Sequence, residues 1–198
     1  MKQGIAFFDF DGTITTKDTL IEFIRYNKGS LSLFFGFFLH LHYLVGYKLK
    51  FISNQTAKEK ILAHYFGGTE KDQFEQLCKN FAENKLPQLI RTKAVEEIKK
   101  LQQQSVETVI VSASPENWVA FFADKLNMQL IATKLETSDN RITGKINGYN
   151  CYGKEKVNRI NLAYRLDDYE KIYAYGDSSG DKQMLAIAHY SYMKPFHK

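Results

Sequence analysis

Continuous apolar runs alternate along this chain with stripes of helical period. Ile5-Ala6-Phe7-Phe8 has no polar position on either face, so it reads as a strand buried on both sides that ends in the polar cluster Asp9 to Thr13. Thr108-Val109-Ile110-Val111 ends in the same way in Ser112-Ala113-Ser114, and Lys171-Ile172-Tyr173-Ala174-Tyr175 ends in Gly176-Asp177. Helical patterns lie between them. Ala94, Ile98 and Leu101 mark one amphipathic helix, and Val119, Phe122, Ala123 and Leu126 another, with Ser114 expected as its N-cap and Pro115 at its first position. Strands of this kind alternating with helices predict an α/β fold, a parallel sheet covered by helices on both faces. Ligands bind such sheets beyond the carboxyl ends of the strands. All three polar clusters fall there.

Between about Lys17 and Pro87 the period changes. Leu20, Phe23 and Ile24 share one helical face, and Phe74, Leu77, Cys78 and Phe81 repeat the i, i+3, i+4, i+7 spacing without an intervening strand signal. This stretch is expected to be an all-helical insertion after the first strand. A short hairpin is expected near Thr137 to Tyr149, with Asn140, Gly144 and Gly148 as turn residues. Trp118, on the helix after the second strand, is expected to pack in the core or at a domain interface.

Composition narrows the class. With 198 residues, 44% hydrophobic and only three prolines, the chain is neither disordered nor fibrous. Its two cysteines, Cys78 and Cys151, have no metal-ribbon spacing and provide no disulfide framework. The net charge of +5 favours anionic partners, yet no basic stripe interleaved with aromatics points to nucleic acid. The apolar run before Asp9 is too short for a signal-peptide core, and the expected location is cytoplasmic.

The chemistry gathers at the strand ends. Asp9 and Asp11, in Asp9-Phe10-Asp11-Gly12-Thr13, set two carboxylates two residues apart, suited to a hard divalent cation. A carboxylate kept ionised beside such a cation can attack phosphorus, and Gly12 lets the backbone approach a phosphate. Asp177 would complete the metal site opposite Asp9, and Asp181 would orient a metal-bound water, brace a lysine or cap a helix. Ser112 offers a hydroxyl and Lys156 a positive charge, which a phosphoryl group among carboxylates requires.

The four segments DFDGT, VSAS, CYGKEK and GDSSGD, in this order, resemble the haloacid dehalogenase superfamily, its phosphoserine-phosphatase-like branch (subfamily IB) above all. The resemblance implies a Rossmann-like catalytic core over 1–16 and 88–198 with a helical cap over 17–87. It implies a phosphatase that hydrolyses a small-molecule phosphate monoester through an aspartyl-phosphate, with Mg2+ as cofactor. Asp9 matches the nucleophile and Asp11 the general acid, whose backbone carbonyl also meets the metal. Ser112 and Lys156 match the groups that hold the phosphoryl. Lys156 is preferred to Lys154 because Val157 and Ile160 then occupy the apolar positions of the helix. Asp9, Asp11, Asp177 and Asp181 form the implied metal set, and Gly12, Thr13, Asp18, Ser112, Ala113 and Lys156 the implied substrate set. Asp11 also favours C–O–P hydrolysis over dehalogenation, since dehalogenase members lack that second acid. Asp18 lies near the place of the acid that reads a substrate amine, and Arg25 is the cap arginine placed to read a carboxylate, with lysines as substitutes.

Gly29 to Tyr47 carries no formal charge. A buried cap helix pair or a homodimer contact is the expected use. The other reading is peripheral membrane contact, with Lys48 and Lys50 near the headgroups and a lipid phosphate of the phosphatidylglycerophosphate kind as substrate. His40 and His42, two apart on a helix, would not chelate one ion and are expected in core or interface packing. A catalytically idle phosphate-binding interaction module, and phosphoryl transfer to an alcohol, are the remaining alternatives.

Overall fold

A computed structural model describes residues 3–197, apart from the side chain of Leu44. The first strand, β1, spans Ile5–Phe8. Four helices follow: α1 (Thr19–Leu39), α2 (Leu41–Lys48), α3 (Asn54–Phe66) and α4 (Lys71–Asn84). Next come α5 (Thr92–Gln103), β2 (Glu107–Pro115), α6 (Glu116–Lys125) and β3 (Gln129–Thr133). A hairpin of β4 (Leu135–Ser138) and β5 (Arg141–Ile146) leads to α7 (Lys154–Ala163), β6 (Ile172–Gly176), α8 (Lys182–Ala186) and β7 (Tyr190–Met193).

The five-stranded sheet has the order β3-β2-β1-β6-β7, with every pairing parallel. The chain moves outward in one direction through β2 and β3, then returns past β1 to β6 and β7. The switch therefore lies between β1 and β6, where a doubly wound sheet opens a crevice at its carboxyl edge. Side chains of β1 alternate between two cores. Ile5 and Phe7 join Val109, Ile160 and Met184, whereas Ala6 and Phe8 join Ile110 and the aromatic residues beneath α1 and α4. This two-sided burial is why β1 shows no polar alternation in sequence.

The α1–α4 segment is fastened to the sheet layer by an aromatic cluster. Phe23 stacks on Trp118 with ring centroids 4.5 Å apart and meets Phe66 at 5.0 Å and Phe81 at 5.3 Å. Trp118 is fully buried and its Nε1–H donates to Thr19 Oγ1 at 3.0 Å, so it does lie between the two layers. Both cysteines are buried free thiols, and burial pushes the Cys151 thiol up to about 11.

Several local expectations are corrected. Ser114 does not cap α6: β2 runs on through Pro115 with a shift in its register to β3, and the Ser114 hydroxyl turns to Asp11. The hairpin turns at Asp139 and Asn140, both with positive φ, while Gly144 sits within β5, where a Cβ would collide with Ala63 of α3. The Gly29–Tyr47 stretch is buried on one side only: Gly36, Leu33 and Phe37 face the core, but Leu31, Phe34, Phe35, Phe38 and Leu39 all stand exposed. His40 packs its Nδ1 against the Gly36 carbonyl, but His42 is exposed.

Candidate active site

The turn after β1 places the first acids. Asp9 N–H donates to the Tyr175 carbonyl at 2.9 Å, which ties the end of β1 to the end of β6. Gly12 then takes φ 79°, the left-handed region that glycine enters without steric cost. A Cβ there would strike the Asp177 carboxylate, so the small residue also lets the two acidic turns close on each other.

Asp9 is buried at the base of a cavity of about 410 Å³. One of its oxygens accepts from Thr13 Oγ1 at 3.0 Å and the other from Lys156 Nζ at 2.6 Å. Lys156 reaches this point from the first turn of α7, whose start is pinned by Gly153 N–H donating to the Gly180 carbonyl at 3.0 Å. Its ammonium also donates to Asp181 Oδ1 and to the Val111 carbonyl, each at 2.7 Å. All three donor positions are filled, which makes full burial of a lysine tolerable. Lys154, by contrast, is exposed.

Three acids face one ammonium here, and the charges respond. Burial pushes the Asp9 carboxyl up to about 7, against the pull of Lys156 and with Asp181 and Asp11 adding to the rise. Burial also acts to lower Lys156, but Asp9 and Asp181 outweigh it and hold the ammonium above its ordinary value. Asp181 is desolvated too, yet Lys156 and Ser178 keep it below the usual carboxylate range. Asp177 is raised, by burial first and then by Asp181. One carboxylate oxygen from each of Asp9, Asp177 and Asp181 lies within 4.8 Å of the others. A divalent cation suits this surplus of negative charge and this all-oxygen donor set. Asp181 is the least free of the three. Its Oδ1 holds Lys156, and its Oδ2 accepts from Asp177 N–H, Ser178 N–H and Ser178 Oγ at 2.9–3.2 Å.

Asp11 is aimed away from this cluster. Its Oδ1 accepts from the Thr19 amide at 2.7 Å and its Oδ2 from Ser114 Oγ at 2.6 Å, so the start of α1 and the end of β2 together fix its carboxylate at the cavity wall. Ala113 and Asp18 line the cavity with Asp9, Asp11, Gly12, Lys156, Asp177 and Asp181. Thr13 and Ser112 stand behind the lining, Thr13 bonded to Asp9 and Ser112 accepting from Ser114 N–H at 3.0 Å. Asp18 N-caps α1 through Ile21 N–H at 3.1 Å, and burial followed by the Asp11 charge raises its carboxyl.

Of two further lining residues, Lys58 had no sequence signal and Ser114 had one that pointed to a helix cap. Lys58, from α3, donates to the Ala113 carbonyl at 2.9 Å and stands opposite Asp18 and Asp11; desolvation lowers it while those two acids resist. Ser114, the residue expected to cap α6, joins Asp11 to Thr19. Arg25 lies outside the cavity and pairs with Glu22, so among the described residues Lys58 is the cation that α1–α4 place on the cavity lining.

Residues 6–186 match the model of the haloacid dehalogenase-like hydrolases. Protein CicA of Caulobacter vibrioides is 38% identical over 184 residues, covering 91% of this chain and 81% of that protein. Among solved structures, a Bordetella pertussis protein of unknown function superposes with a TM-score of 0.82 at 21% identity, covering 96% of this chain and 89% of that one. A phosphoserine phosphohydrolase-like protein from Francisella tularensis gives 0.70 at 19% identity, with 98% and 89% covered. An apo phosphoserine phosphatase gives 0.68 at 17%, with 96% and 85% covered.

Proposed function

The chain belongs to the haloacid dehalogenase-like hydrolases, and on that premise we propose that it is a magnesium-dependent phosphatase that cleaves phosphate monoesters through a phosphoryl group carried on Asp9. One observation carries the reading. A buried carboxylate, oriented by Thr13 and Lys156, sits at the base of a cavity where a second acid, Asp11, is held separately.

The chemistry follows from these positions. An Asp9 oxygen attacks phosphorus, forming the acyl-phosphate bond as the bond to the ester oxygen breaks. Asp11 gives its proton to the departing alcohol and then takes one from the water that attacks the phosphorus. Phosphate leaves as the bond to Asp9 breaks, and the carboxylate returns. Lys156 keeps its charge throughout, stabilising Asp9 between turnovers, and Asp181 anchors the lysine. Asp9, Asp177 and the main chain at Asp11 would hold Mg2+, with Asp181 in support. Bound there, the cation offsets the negative charge of the phosphoryl oxygens.

Substitution Asp9→Asn tests the reading. Magnesium-dependent hydrolysis of p-nitrophenyl phosphate should disappear while the circular dichroism spectrum stays unchanged. Undiminished turnover in that variant would remove Asp9 as the nucleophile and the proposal with it.

A further inference from the structure

We propose that the exposed apolar face of α1 and α2 is a docking surface for an anionic lipid bilayer. Beyond the break at Gly29, whose φ of 83° and ψ of 162° end the first helical segment, the outward positions are Leu31, Phe34, Phe35, Phe38 and Leu39. This is the i, i+3, i+4, i+7, i+8 stripe that a soluble helix normally turns to its core. Here it is between 62% and 77% exposed. The core-facing side of the same segment is also apolar: Leu33 and Phe37 pack inward, and Gly36 is seated on Tyr65. Leu41, Val45, Leu49 and Phe51 extend the exposed surface. A large contiguous patch of this kind marks an interaction surface.

Charge identifies the occupant. Residues 23–58 contain five basic side chains and not one acid; Arg25 pairs with Glu22 and Lys58 turns into the cavity, which leaves three for the patch. Lys28, Lys48 and Lys50 are exposed at the two ends of the patch. Two copies placed face to face would bring these cations together with no carboxylate from this segment to offset them, whereas an anionic bilayer complements both the apolar centre and the basic ends.

The geometry favours lying on a bilayer over crossing it. Among the described residues, no single helix is long and apolar enough to span, and α1 and α2 meet at a bend of 61°. The segment after Gly29 is about 15 Å long at ~1.5 Å per residue, half the roughly 30 Å hydrocarbon core. The patch also runs close to the active-site cavity along the chain: Asn54, three residues beyond Phe51, lines it.

The test is co-sedimentation of the full chain with phosphatidylcholine vesicles, with and without phosphatidylglycerol. Binding is expected only when the anionic lipid is present, and to weaken with salt. At about 1 kcal/mol for each lysine near the surface, Lys48→Ala with Lys50→Ala should weaken it about 30-fold. Phe34→Ser with Phe38→Ser should abolish it. Both double variants should retain wild-type p-nitrophenyl phosphate turnover and melting temperature. Should the phenylalanine variant fail to fold, the lysine variant still decides. Absence of wild-type binding, binding that ignores the anionic lipid, or a dimer in sedimentation equilibrium that the phenylalanine pair dissociates while vesicles stay unbound would each overturn the proposal. Vesicle binding is read independently of turnover, so neither result depends on the other.

Discussion

Lys156→Met is the most informative single perturbation, because methionine keeps most of the side-chain volume and removes only the charge and its three hydrogen bonds. The ammonium bridges Asp9 and Asp181 at 2.6 and 2.7 Å, and all three side chains are nearly inaccessible. Removing one partner of a buried ion pair costs about 3–5 kcal/mol, since the remaining charge loses its compensation without regaining water. For a chain of this size each kcal/mol moves Tm by about 2–4 °C, so a fall of roughly 6–20 °C is expected by calorimetry in EDTA. The pH dependence has a definite sign. Asp9 already sits near 7 in the folded protein, above its unfolded value, and its cost to stability grows as pH rises from about 4 towards 7. Asp181 is held below its ordinary value by Lys156, and that contribution is present above the unfolded carboxylate range and lost as pH falls. Both groups make the deficit of the variant largest at pH 7 and above, and smaller in acid where the carboxyls take up protons. Adding Asp181→Asn should recover part of the loss. A Tm within 2 °C of wild type at pH 7.5, or a deficit that widens in acid, would refute the account of Lys156 as the counter-ion of this cluster.

Gly12→Ala places a Cβ against the Asp177 carboxylate at a positive φ, so p-nitrophenyl phosphate turnover should fall about a hundredfold with only a modest change in Tm; equal activity would show that the two acidic turns need not close. Phe23→Ala empties the centre of the aromatic cluster shared with Trp118, Phe66 and Phe81, and chemical denaturation should show a loss of about 3–5 kcal/mol. Magnesium should raise the wild-type Tm, by about 2.7 kcal/mol of stability at a hundred times its Kd, and raise it less in Asp177→Asn. The same shift in both proteins would place the cation elsewhere.

The central strands and the acids behind them were legible in the sequence because burial on both faces leaves an uninterrupted apolar signature that ends abruptly in polar residues. β1 was read to its boundaries, and the cores of β2 and β6 were read with it. β3 and β7 gave no such signature: β3 begins with exposed or half-buried positions, and all four residues of the edge strand β7 are exposed. The motif order led to Asp9, Lys156 and Asp177. Tertiary structure alone decided the rest. Only the approach of α3 to the carboxyl end of β2 brings Lys58 to the cavity, and only the continuation of β2 past Ser112 turns Ser114 from a helix cap into a partner of Asp11. The same holds for the apolar segment of α1 and α2. Local pattern states that a helix has a hydrophobic face, but which face meets protein is settled by the neighbours the fold supplies, and here they cover Leu33 and Phe37 and leave Phe34 and Phe38 to the outside.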